Sequence, residues 1–520
     1  MFSVAARSAQ KAWVALIQRA THSAHSYMPL PATSSAEICS HERADMPPSQ
    51  EKPWRSTYYS RLLAVCLFLL PSFVQDLICR DLQNPRRMHP TSWLDGLRGV
   101  ASLIVFFFHF TDDTHKGLLM SYGVKREGDE AASSPLQLPF VRVIVAGKPM
   151  VHIFFVISGF VLAYKPLKQI RANQFEALQD TLSSSIFRRG FRLYLPPLVS
   201  IFGIMFLRYY GLIPDKARET LYEQFQEWWE EVEFFLGLVW AWDSPKIPKY
   251  DSHLWTIPIE MSFSMLLFIV VIGLSRTKAS IRLACIACIA SYLLRQGHYA
   301  GWEFLAGVFL AEIQIIQDAR KATVFEDGSV MPTPGVSPSA SSTLAAQTTK
   351  LLFRALLIAN LIFALYVAGW PNEKWEETPL IAMLLRITPE PYASKGQSWP
   401  IFIWYAIGAV QIVLALQQME PLRRAFNTGL AQYLGDVSYA LYICHGPVLK
   451  VVHPRVMPYL WEPMGGKKDA GMWGRLAVWV VGLVTLSIPV FWVSDLFMRF
   501  VDRKCVSFAR WIERKVFTYK

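Results

Sequence analysis

Arg98 and His109 lie eleven residues apart in the stretch Trp93 to His109, which turns apolar just after the arginine. Eleven residues make about three helical turns, so both side chains leave one helix face, roughly 16 Å apart along the axis. That face carries a fixed cation near water and a titratable ring deep in an apolar zone. Ionisable groups at such depth are costly and mark functional sites. A neutral imidazole can take the proton of a hydroxyl in a transition state. Arg189 and Arg192 form an i, i+3 pair in a basic cluster that opens a span. Guanidinium forks suit phosphate oxygens, although positive-inside topology alone also puts arginines there. Glu260 follows Pro258 near an expected helix start, where a carboxylate is favoured. His445 sits mid-run ahead of a Gly-Pro break, and His152, near the start of a span, reads as structural or interfacial.

Several signatures are missing from the sequence. There is no His-Glu-x-x-His, no Gly-x-Ser-x-Gly and no phosphate-binding glycine loop ending in Lys-Ser/Thr. Ser158-Gly159 lacks the preceding glycine of a nucleophile elbow, so a covalent serine mechanism is not indicated. Cys285 and Cys288 stand in a C-x-x-C inside an apolar run, with no second pair, and read as helix packing. No metal is expected. A deep histidine, a carboxylate and arginines at the mouth suit transfer from a phosphate-bearing carrier to a hydroxyl. The Arg98–His109 separation is of the order of an extended phosphopantetheine arm.

These residues need a membrane scaffold to position them. Of the 520 residues, 52% are hydrophobic and only 18% charged, against about 25% in soluble domains. The net charge of +12 lies in short clusters beside apolar runs, as topology charges do, and is no sign of nucleic-acid binding. Apolar runs long enough for spans predict an all-α, polytopic bundle of about ten to eleven transmembrane helices. They begin with Tyr58 to Ile78 and the Arg98/His109 helix. Later ones include Ile281 to Leu294, Tyr439 to Val452 and Leu476 to Phe497. The expected organisation is a polar, disordered tail over 1–56 and an extra span with a basic loop over 57–90. A membrane domain follows over 91–502, with a disordered Ser/Thr/Pro-rich loop at about 319–349. A basic tail over 503–520 ends the chain. No appended soluble catalytic domain is expected, so the chemistry is expected within the membrane region. Positive loops put Arg98, Arg189 and Arg192 on the cytosolic side. Residues 1–35 weakly resemble a transit peptide. A multi-pass protein of the endoplasmic reticulum or another endomembrane is expected, with the plasma membrane as the alternative.

The motifs resemble those of the acyltransferase 3 family of integral membrane O-acyltransferases. Leu94 to Ala101 followed by His109 matches its Arg-x10-His signature. Ile153 to Phe160, Arg188 to Pro196, and His253-Leu254-Trp255-Thr256 with Glu260 and Phe263 resemble its next blocks. Phe304 to Gly307 and Leu434 to His445 resemble the later ones. The six blocks run in order from about Ser92 to about Asp502.

The resemblance implies an acyl-CoA co-substrate, acetyl-CoA favoured, with no permanently bound cofactor. It implies transfer to a hydroxyl of a sugar, lipid or small metabolite. Membrane lipids surround the protein and nucleic acid is not a partner. By position, His109 is catalytic with Arg98 and Glu260. Arg189 and Arg192 bind the CoA phosphates, and Asp95, Ser158, Trp255 and His445 also contact substrate or donor. The chain departs from the pattern at His152, where many members have Asp, at Thr256 and Pro258, and at Cys444 and Gly446 beside His445. These departures resemble the fungal branch, whose members often decorate secondary metabolites. The alternative is a transporter or exporter whose path the same polar groups line.

Overall fold

In a computed structural model the described residues are 68–78, 88–124, 133–237, 247–327, 340–394, 399–467 and 469–518. The expected N-terminal tail and most of the Tyr58–Ile78 span lie outside them. Two compact units are distinguished, Met1–Pro85 and Arg86–Lys520. In the first, Ser72–Ile78 is a short helix that follows Pro71.

The second unit is helical, with no named strand among the described residues. Its first helices are α1 (Ser92–Thr114), α2 (Gly147–Arg171), α3 (Phe175–Tyr209) and α4 (Leu221–Gly237). Next come α5 (Thr256–Gly273), α6 (Ala279–Arg295), α7 (Tyr299–Asp327) and α8 (Ala340–Ala368). The series closes with α9 (Pro379–Arg386), α10 (Trp399–Gln418), α11 (Glu420–Phe426), α12 (Gly429–Trp461), α13 (Met472–Phe497) and α14 (Arg503–Val516).

Eight helices among the described residues are long and apolar enough to cross a membrane. Of the expected spans that lie wholly within the described residues, two fall outside these eight. Helix α6 has 17 residues, at the short limit of a crossing, and α12 carries Asp436, His445 and Lys450 along its length. Helices α7 and α8 run into both ends of the stretch expected to be loop, which leaves 328–339 outside the described residues. The basic C-terminal stretch is helical: a π turn over Met498–Asp502 carries α13 into α14. Glu513 of α14 pairs with Arg188 of α3 at 3.2 Å.

Small residues let the central helices approach closely, as they do where lipid supplies no hydrophobic drive. Helix α1 lies along α12. A Cβ on Gly435 would stand 2.5 Å from the Asp95 carbonyl oxygen, and one on Gly99 would overlap Leu434 and Gly435. Helix α2 meets α7 the same way through Gly159 and Gly307.

Polar pairs then fix rotation. The buried His152 and Glu303 are 2.6 Å apart between α2 and α7, and Arg282 meets Glu312 at 2.7 Å between α6 and α7. The Trp479 indole donates to Thr111 Oγ1 at 2.9 Å, joining α13 to α1. Interhelical hydrogen bonds in membranes contribute only about 0.6 kcal/mol each, so these contacts set register more than stability.

Candidate active site

The arginines gather around one cavity of about 260 Å³ between α1, α2, α3, α5 and α12. Arg98 is held by α12, donating from Nε to Ser438 Oγ at 3.0 Å and from Nη2 to the Gly435 carbonyl at 3.2 Å. Asp95, one turn earlier, lies 3.4 Å from its guanidinium. Arg189 donates to Glu260 Oε1 at 2.8 Å and to Ser264 Oγ at 3.0 Å. Ser158 donates to the same Glu260 oxygen at 3.0 Å, so one carboxylate ties α2, α3 and α5 together.

Arg192 and Tyr439 also line the cavity, and the Tyr439 hydroxyl donates to the Leu193 carbonyl at 2.8 Å. Asp436 and Asp502 line it as well. Three guanidinium groups therefore face three carboxylates. The cavity is polar and close to neutral, rather than an unopposed cationic clamp. Its volume is below the usual 300–1,000 Å³ of drug-sized ligand pockets, so it suits the narrow end of a long ligand.

Three imidazoles converge at a second centre. His109 comes from the penultimate turn of α1, His445 from α12 and His253 from the 3-10 turn Ser252–Trp255 that leads into α5. Ring centroids are 4.1 Å apart for His109–His253, 5.1 Å for His109–His445 and 4.6 Å for His253–His445. Asp251 caps the 3-10 turn, accepting from the His253 backbone N–H at 3.0 Å and lying 2.6 Å from its Nδ1. His445 Nδ1 lies 2.9 Å from the Leu441 carbonyl. His253 can come this close because residue 446 is glycine: a Cβ there would stand 2.5 Å from His253 Nδ1.

Thr256 and Tyr442 stand between the two centres. Both line the arginine cavity. Tyr442 donates its only hydroxyl proton to the His253 carbonyl, so Thr256, 2.6 Å away, donates to Tyr442. The cavity thus ends against the backbone of a residue in the histidine centre. His109 does not line it.

Of the residues singled out in the sequence, Arg98, Arg189, Arg192, Ser158 and Glu260 meet at the cavity, with Asp95 behind Arg98. His109 and His445 meet at the other centre. Trp255 packs at the edge of the apolar core and lines neither. His152 is paired with Glu303 away from both centres. Cys285 is half-buried, Cys288 exposed, and neither is in a disulfide. Two residues of the histidine centre had no role assigned from the sequence: His253, named only as part of its motif, and Asp251. A carboxylate two residues ahead of a histidine, at a helix-entry turn, is the signal that points to them.

The chain is similar to three fungal acyltransferases. O-acetyltransferase PaAT-1 of Phomopsis amygdali is 28% identical over 482 residues, covering 86% of this chain and 88% of that protein. Acyltransferase clz18 of Cochliobolus lunatus is 25% identical over 491 residues, 83% of this chain and 97% of its own. Acyltransferase R4 of a Phoma species is 24% identical over 483 residues, 81% of this chain and 96% of that one. No solved structure matches. Residues 91–499 match the acyltransferase domain of one family, a stretch that holds the three cavity arginines and the three histidines. The chain belongs to the acyltransferase 3 family, and is an acyltransferase built into a membrane helix bundle.

Proposed function

We propose that the protein moves an acetyl group from acetyl-CoA to a hydroxyl of a small metabolite, lipid or sugar, as a membrane-bound O-acyltransferase of fungal secondary metabolism. An endomembrane, with the arginine cavity open to the cytosol, is the proposed setting.

The observation that carries this reading is the run of contacts from cavity to histidines: Arg98, Arg189 and Arg192 at one end, then Thr256 and Tyr442, then His253 against His109. The carrier enters the cavity with its phosphates near the arginines, where charge-assisted bonds are strongest. Its thioester reaches toward the Thr256–Tyr442 pair. The acceptor hydroxyl approaches His109, which is partly open to its surroundings. His109 takes the hydroxyl proton as the oxygen attacks the thioester carbonyl. The C–O bond forms, the C–S bond breaks, and the imidazolium returns the proton to the departing thiolate. Glu260 keeps Arg189 and Ser158 in place, and Asp95 does the same for Arg98.

The test is release of free thiol from acetyl-CoA by membranes containing the protein, with and without a panel of alcohols. Acceptor-dependent thiol release with a matching acetyl ester supports the reading. Movement of the alcohol across the membrane with no thiol released would sink it and favour the transporter.

A further inference from the structure

We propose that His109, His253 and His445 form a binding site for one divalent cation of the zinc class, and that the ion, when bound, blocks acyl transfer. The second half rests on the reading that His109 accepts the hydroxyl proton. The first half does not.

Hydrogen bonding to the outer nitrogens decides which ring nitrogens face inward as lone pairs. The Leu441 carbonyl can only accept, so His445 carries its proton on Nδ1, 2.9 Å away. Its Nε2 is then a lone pair, and that atom is buried with no hydrogen-bond partner. The His445 side chain is fully buried. Asp251 as a carboxylate also only accepts, so His253 donates from Nδ1 at 2.6 Å and its Nε2 is a second lone pair. His109 supplies a third ring edge. One nitrogen from each ring falls within 4.8 Å of the other two. Converging lone pairs repel unless a proton or a cation lies between them.

A cation meets this arrangement in three respects. Neutral imidazoles are good ligands for zinc, and three of them with an open fourth position form a known coordination set. Zn–N bonds of about 2.0–2.1 Å put tetrahedral ligand nitrogens about 3.3 Å apart, within reach by small rotations of the two partly exposed rings. Asp251 stands where a carboxylate behind a ligating histidine orients the ring and raises its basicity. Its second oxygen is buried and unpartnered, so the carboxylate is held mainly by His253. Three neutral rings backed by one carboxylate also make a locally negative site. Once the ion takes the His109 lone pair, that ring has nothing left to receive the acceptor's proton.

The experiment uses full-length protein purified in detergent, stripped with chelator and desalted. Zn²⁺ is titrated by calorimetry, and Co²⁺ by its visible absorption, which is intense only in tetrahedral sites. The wild type is expected to bind one equivalent. H445Q loses the ion, and D251N binds it roughly 10–100-fold more weakly. The pair C285S and C288S together retains it. H445Q that elutes and melts like wild type excludes misfolding as the cause. Equal stoichiometry in wild type, H445Q and D251N would overturn the site, as would a cobalt spectrum lost in the cysteine variant. Zinc is expected to suppress thiol release and chelator to restore it; release that rises with zinc would overturn the blocking role. Binding is read without substrate, so failure of the acyltransfer reading leaves its result intact.

Discussion

The His253 ring stands edge-on to His109, with centroids 4.1 Å apart and planes 84° apart. The two residues lie 144 positions apart in the chain. One is fixed by α1, the other by the Asp251-capped turn ahead of α5. An edge-on neighbour cannot stack against His109. It limits how the His109 ring can turn.

His109→Ala is therefore expected to lower acyl transfer by about 10²–10⁴-fold, the usual contribution of a positioned general base. Protein level and thermal unfolding, measured alongside, separate this loss from any effect of removing a ring that packs on Phe108, His253 and His445. The assay is initial thiol release at saturating acetyl-CoA. Activity within threefold of wild type would remove His109 from the mechanism.

Asp251→Asn tests the support behind that ring. Burial pushes the Asp251 carboxyl up, but the charge that His253 carries when protonated, together with its hydrogen bonds, outweighs it, so the group sits below its usual range. A depressed carboxyl stabilises the fold above its unfolded value and loses that contribution as pH falls through the folded value. The stability gap between wild type and variant should not narrow from pH 8 to pH 5, because the imidazole that faces Asp251 only gains charge as pH falls. It should shrink only below about pH 4, where free aspartate protonates. Melting temperatures of both proteins across that range provide the check. A gap that closes between pH 7 and pH 6 would mean that another group controls it.

Helical periodicity was enough to put Arg98 and His109 on one face, and apolar run lengths were enough for an all-helical membrane bundle. The rest depends on contacts between distant segments. Arg189 and Glu260 are 71 residues apart, and nothing in either segment announces that they meet. The arginine block reads as a phosphate clamp in sequence because Glu260, Asp436 and Asp502 arrive from other helices. His253 lies in a 3-10 turn outside the apolar run, so its depth comes from packing against Gly446 and not from its own neighbours. The α12 span was legible as an apolar run, but its polar middle belongs to the interior of the bundle.

Gly446→Ala should damage the site with little effect on the bundle. The new methyl would stand 2.5 Å from His253 Nδ1 and 2.6 Å from its Cε1, so the ring must move off Asp251. Activity is expected to fall at least tenfold, and the Asp251→Asn change should add little on top, because neighbours acting through one contact are not additive. Gly429→Ala on the same helix, with nothing within 4 Å of the added atom, serves as the neutral control. Full additivity of Gly446→Ala and Asp251→Asn would refute this account of how His253 is seated.

Arg189→Lys separates donor binding from chemistry. A lysine keeps the charge but cannot reach both Glu260 and Ser264, as the guanidinium does. A loss of about 1.4 kcal/mol, within the range of one hydrogen bond to a charged group, corresponds to tenfold in affinity. The KM for acetyl-CoA is expected to rise by about that factor, with kcat changed less, because the group lies on the cavity side of the Thr256–Tyr442 pair and away from His109. Opposing carboxylates around the cavity also predict a shallow salt dependence of that KM, since the carrier's phosphates meet no large net charge. A large fall in kcat at unchanged KM would instead put Arg189 in the transition state, and would require the thioester to lie on the arginine side of the cavity.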